Sequence, residues 1–143
     1  MIEHVWTVIC SNAIIDQETN NISIFNILEQ VSIPAEAANS QAIAINVELL
    51  TLWIRSDLSK PASGLSRVNI IAPQGELIQS DDSQLDLSQF ERLRSRSLYQ
   101  GLPYKGEGVY QFVVEYKPTE DANWQKVASI PLKVKLLHNN ENA

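Results

Sequence analysis

Nine residues near the C-terminus, Val109–Lys117, constrain the fold more than any other stretch. Tyr110, Phe112, Val114 and Tyr116 fall on one parity, and Val109, Gln111, Val113, Glu115 and Lys117 on the other. A period of two describes a strand with one strongly aromatic face. Gly106-Glu107-Gly108 opens the element as a turn, and Pro118–Asn123 closes it as a polar turn. The chain then returns through Trp124–Leu136. There Trp124, Ala128, Ile130, Leu132, Val134 and Leu136 share a face opposite Gln125, Ser129, Lys133 and Lys135.

The rest of the chain repeats this grammar. Glu3–Cys10 reads as a strand with two largely apolar faces, Val5, Thr7 and Ile9 alternating with Trp6, Val8 and Cys10. Asp16–Asn21 is a turn of residues that bond their own backbone or tolerate positive φ. Ile22–Ile33 reads as one strand whose apolar parity changes, which predicts a bulge near Asn26. The Ala-rich Pro34–Gln41 suits one helical turn. Ala42–Asp57 is the longest strand, either bulged near Leu49–Leu50 or buried on both faces. Leu65–Ala72 leads into a type I turn at Ala72-Pro73-Gln74-Gly75, with Glu76–Ser80 as a short hairpin partner. Asp81–Gln89 reads as polar and irregular, and Phe90–Tyr99 as a strand. Pro131 inside the last strand places that strand at an edge or at a bulge, where Lys133 and Lys135 would discourage edge pairing.

About eight short strands with regular turn signals predict an all-β, antiparallel, immunoglobulin-like β-sandwich; a closed barrel or jelly roll is the alternative. The expected organisation is one domain over residues 1–137 and a polar tail over 138–143. A chain of 143 residues buries enough surface for one core without disulfides or metal. Cys10 is the only cysteine, so no internal disulfide forms.

Net charge excludes one class of partner. Seventeen acidic residues against eleven basic ones give −6, which argues against general nucleic-acid binding, since phosphates need a basic footprint. The N-terminus lacks the basic region and long apolar run of a signal peptide, and no stretch approaches a membrane span. The reading is therefore a cytoplasmic protein, with no membrane partner.

Three segments together resemble a family of short, uncharacterised bacterial proteins predicted to be immunoglobulin-like sandwiches. They are Cys10-Ser11-Asn12-Ala13 with Asp16 and Ile24–Ile27; Gly64 to Gly75; and Leu102-Pro103-Tyr104 with Gly108–Phe112 and Pro131–Val134. The resemblance implies the same fold over nearly the whole chain. It implies no activity and no site residues.

Catalytic constellations are sparse. His4 and His138 stand at opposite ends and would meet only if the first and last strands paired. No nucleophile elbow, zinc-protease motif or phosphate-binding loop is present, and no enzyme activity or cofactor is expected. Cys10 lies in an apolar strand and reads as a small hydrophobe. Asp81, Asp82 and Asp86 supply oxygens, but without the central Gly and terminal Glu of a calcium loop, so they read as a solvated loop. Trp53 and Trp124 share parity with apolar faces and read as core; Trp6 is ambiguous. An exposed tryptophan would suit a glycan.

The most unusual feature is Phe90–Leu98. On a strand, Arg92, Arg94 and Arg96 stand on one face, and guanidinium groups suit bidentate capture of carboxylate or phosphate. The stripe is the candidate partner or anion site; the alternative is a solvent face balanced by carboxylates from a neighbouring strand. The expected function is a non-catalytic binding or assembly module, with a protein partner or as a homo-oligomer. That reading leans on Ala42–Asp57, whose two apolar faces exceed what one core needs and would form an interface if one were exposed. A small-ligand sandwich is the second reading, favoured by a concave pocket beside the arginines.

Overall fold

The computed structural model describes residues 1–137; the expected polar tail at 138–143, and with it His138, lies outside the described residues. Within them the chain forms β1 (Ile2–Ile15), β2 (Ile22–Ile27), β3 (Gln30–Pro34), one turn of 3₁₀ helix (Ala35–Asn39), β4 (Ala42–Arg55), β5 (Ser63–Ile71), β6 (Leu77–Asp86), β7 (Arg92–Pro103), β8 (Gly108–Lys117) and β9 (Gln125–Leu137). The protein is all-β, with two sheets in the orders β2-β1-β4-β7 and β3-β9-β8-β5-β6. The described residues thus hold nine strands rather than about eight, and one pair, β3 with β9, is parallel.

Both differences have one cause. The stretch read as a single strand, Ile22–Ile33, is divided by Asn26, whose φ of 55° turns the backbone. Asparagine tolerates this left-handed conformation better than β-branched residues do. Beyond it the Leu28 N–H donates to the Ile9 carbonyl, and the Lys133 N–H donates to the Glu29 carbonyl. The chain is handed from the first sheet to the second, where Val31 pairs beside Val134. Lys133 and Lys135 therefore do not guard a free edge. Pro131 precedes the first β9 residue that pairs with β3, so the edge expected there is present over that stretch. Asp81–Asp86, read as irregular, is the second half of β6, with Asp82 opposite Arg67 and ion-paired to it at 2.7 Å.

The aromatic face of β8 builds the core between the sheets. Tyr110, Phe112, Val114 and Tyr116 are all buried. Tyr116 meets Trp53 with ring centroids 5.8 Å apart, and Phe112 meets Tyr99 at 6.0 Å. The Tyr110 hydroxyl accepts from the Lys105 N–H and donates to the Gly106 carbonyl, both at 2.8 Å, which pins the turn ahead of its own strand.

β4 is buried on both faces without a bulge at Leu49–Leu50. Leu49 lies in the central core and Leu50 in a second, smaller one; the register irregularity falls between Ile43 and Asn46, opposite Gly101 at φ 91°. The second core exists because the first sheet curls. The β1–β2 hairpin folds back over the outer face of β4, packing Trp6, Val8, Ile22 and Ile24 around Cys10, Ala13 and Leu50. The second apolar face of β4 is thus covered from within the chain.

Candidate functional site

The curl brings the β1–β2 turn against the start of β7. On β7, Arg92, Arg94 and Arg96 stand opposite Ile54, Leu52 and Leu50 of β4, on the outer face of the first sheet. The stripe expected from the sequence is present as a row, but its three members meet different surroundings.

Arg96 is bound up in the fold. Its Nε donates to Glu48 Oε1 at 2.6 Å, its Nη2 pairs with the same oxygen, and it reaches the Ala13 carbonyl at 3.5 Å. Glu48 is only 2% exposed. This is the neighbouring-strand carboxylate weighed as the structural alternative, and it applies to Arg96. Arg94 ties the curl shut: its Nη2 donates to the Asn20 backbone carbonyl at 2.7 Å and to Asn20 Oδ1 at 2.9 Å. Asn20 presents both oxygens because it sits at φ 59° in a turn organised by Asp16. The Asp16 carboxylate accepts the Thr19 and Glu18 N–H groups, which hold its pKa below the ordinary value.

Arg92 differs from both. It is exposed and, among the described residues, its side chain makes no hydrogen bond or ion pair. Beside it is Phe90, 63% exposed and just ahead of β7 rather than within it. A cleft of about 280 Å³ is lined by Ile15, Asn20, Phe90, Arg92, Arg94 and Arg96. A second cleft of about 390 Å³ shares Asn20, Phe90, Arg92 and Arg94 and adds Thr19, Asn21 and Glu91. The site therefore offers one open guanidinium, a second already oriented, an apolar ring and a polar rim. Neither Asn20 nor Phe90 is among the site residues that the sequence suggests: Asn20 lies in a turn whose contact is 74 residues away, and Phe90 reads there as the first residue of a strand.

The other candidates are dispersed. Trp53 is buried, with its Nε1–H donating to Ser95 Oγ at 3.1 Å, and Trp6 packs on the second core. Trp124, read as core, is outside it. β9 carries a register irregularity opposite Val114 and Glu115, and one extra residue reverses the parity of everything before it. Trp124 consequently lies on the outer face under two cations, with Arg67 4.3 Å and Lys117 4.6 Å from its ring. Cys10 is buried, and burial raises its thiol pKa, away from a reactive thiolate. Of the aspartates, Asp82 is engaged by Arg67 and Asp86 by Ser88. Among the described residues no group of acidic, histidine or cysteine side chains has metal-binding geometry, and no helix is long and apolar enough to cross a membrane. Compared with family models and with curated proteins, the chain matches none.

Proposed function

We propose that this protein is a binding module that docks an acidic segment of a protein partner in the cleft between the β1–β2 turn and the start of β7. One observation carries the reading: Arg92 is an open guanidinium, in a concave site, beside an exposed phenylalanine. Arginine and aromatic residues dominate the energetics of protein interfaces. A guanidinium with no internal partner pays little to engage a carboxylate bidentately. Arg94, held in place by Asn20, adds fixed positive charge. In a chain of net charge −6, such a local positive site also orients an acidic partner.

The fold belongs to the same reading, as an immunoglobulin-like sandwich. Its support is the order β1-β4-β7 opposite β9-β8-β5, which parallels strands A-B-E opposite G-F-C of that fold, and the Tyr110 hydroxyl reaching back to upstream backbone like a tyrosine corner. Self-assembly through β4 loses its warrant, because the face that suggested it is covered by the curl.

The test is titration of wild-type, Arg92→Ser and Phe90→Ser proteins with a library of Glu- and Asp-rich peptides at low and high salt. Binding that weakens with salt and is lost in both variants is the expected result. Equal binding by all three proteins, or none by wild type, would overturn the proposal. Inorganic phosphate competing as well as the peptides would point instead to a small anion at the same guanidinium.

A further inference from the structure

A second site is built at the opposite kind of place, between the sheets rather than on the curl. A cleft of about 480 Å³ opens at one end of the central core, with Ile2, His4 and Trp53 from the first sheet and Tyr116, Gln125 and Val127 from the second among its lining residues. That volume lies in the range of small-molecule sites.

Both walls are shaped by a bulge. In β1, Trp6 pairs with Leu52 but His4 pairs with Trp53, so Val5 is the extra residue. Regular pairing would have put Val5 opposite Trp53 and turned His4 outward. Instead Val5 is exposed, and the imidazole meets the buried indole edge-on, with centroids 5.7 Å apart. In β9, Ala128 pairs with Val114 and Lys126 with Glu115, so Val127 is the extra residue. Regular pairing would have put Lys126 opposite Tyr116 at the core end. The bulge puts Gln125 there and sends Lys126 outward. Each sheet has therefore spent one residue of register to bring a neutral hydrogen-bonding side chain to the same opening. Bulges recur beside functional sites because they re-aim single side chains.

Neither group is used up by the fold. His4 Nε2 shares a hydrogen bond with Thr7 Oγ1 at 2.7 Å, and Thr7 continues to Thr51 Oγ1 at 3.0 Å, so the imidazole is oriented while its Nδ1 has no partner among the described residues. The Gln125 amide likewise makes no hydrogen bond there. Among the described residues no lysine or arginine side chain lines the opening; Met1, which carries the terminal amino group, is at its edge, and Glu3, its one carboxylate, pairs opposite Ile54 on the outer parity. Burial of His4 lowers its pKa, which favours the neutral imidazole.

We infer that this cleft binds a small, neutral, planar molecule, its ring against His4, Val127 and the edge of Tyr116 and its polar group hydrogen-bonded to Gln125 and to the free His4 nitrogen. The inference is independent of the acidic-partner site and uses none of its residues. The experiment titrates the protein with benzamide, toluene, benzoate and benzamidine, following the His4 ring and Gln125 side-chain amide signals by NMR. Benzamide shifting both signals saturably, and binding at least about tenfold more tightly than toluene, benzoate or benzamidine, is the expected outcome. Gln125→Leu, a change at an exposed position that leaves the core intact, weakens benzamide by about tenfold, the equivalent of one hydrogen bond, while leaving toluene unchanged. No saturable shift with benzamide, equal affinity for all four probes, or undiminished binding by Gln125→Leu would overturn it.

Discussion

Arg96 shows how one residue type in one row takes on different work. Its guanidinium neutralises a Glu48 carboxylate that has almost no contact with solvent. Breaking such a pair on one side leaves a buried charge without compensation, whereas replacing both partners by apolar groups is often nearly neutral. Arg96→Met is therefore expected to lower unfolding stability by about 3 kcal/mol, and the Glu48→Met, Arg96→Met double variant to recover most of it in chemical denaturation. Arg92→Ser, by contrast, removes no side-chain hydrogen bond or ion pair among the described residues and changes stability by less than about 0.5 kcal/mol. Replacing all three arginines together would mix these effects, since Arg96 and Arg94 hold internal partners and Arg92 does not among the described residues. Tyr99 is the converse case. Among the described residues its buried hydroxyl makes no hydrogen bond of good geometry, Ser97 approaching it only loosely, and burial pushes its pKa up to about 12. Tyr99→Phe removes an unsatisfied polar group and keeps the ring against Phe112, so stability stays level or rises; a loss above about 1 kcal/mol would show that the hydroxyl is satisfied after all.

At the scale of elements, the sequence was most legible where periodicity was unbroken. β8 alternates without interruption, and each of its four inward positions is buried. Phe112→Ala is expected to destabilise by about 3–5 kcal/mol in denaturant titration. Legibility failed at the bulges, because one added residue leaves composition unchanged while inverting parity: Trp124 was placed in the core, and Val5 was set on the face that His4 occupies. It failed again at Asn26, where a single left-handed residue divides one apparent strand between two sheets. That division gives a prediction of its own. Asn26→Gly preserves the positive φ and stays near wild-type stability, whereas Asn26→Val, whose branched side chain disfavours that conformation, loses about 1–2 kcal/mol. The arginine stripe was legible as a row because a strand's alternation suffices to align it. Which arginine is free was not, since Glu48 and Asn20 reach it only through the curl.

For the whole molecule, pH resolves the distribution of charge into two separate windows. The His4 pKa is depressed by burial, so the folded state binds its proton less readily than the unfolded state does. Its contribution is present above the ordinary histidine value of 6.5 and is lost as pH falls from there through the folded value. The second window is lower. Asp16, Asp57, Asp82 and Asp86 all have pKa values below the ordinary 3.8. For Asp16 the leading cause is the Thr19 backbone N–H, for Asp57 and Asp86 the serine two residues on, and for Asp82 the Arg67 guanidinium. Their contribution is present above 3.8 and is lost as pH falls below it. Melting temperature should thus decline in two steps on acidification, the first beginning near pH 6.5 and the second below about pH 4. His4→Phe should flatten the first step alone, because none of the four aspartates lines the His4 cleft. Arg67→Gln should reduce the second and leave the first unchanged. A first step that persists in the His4 variant would mean that a different group titrates there, and would remove the assignment of that window to the cleft between the sheets.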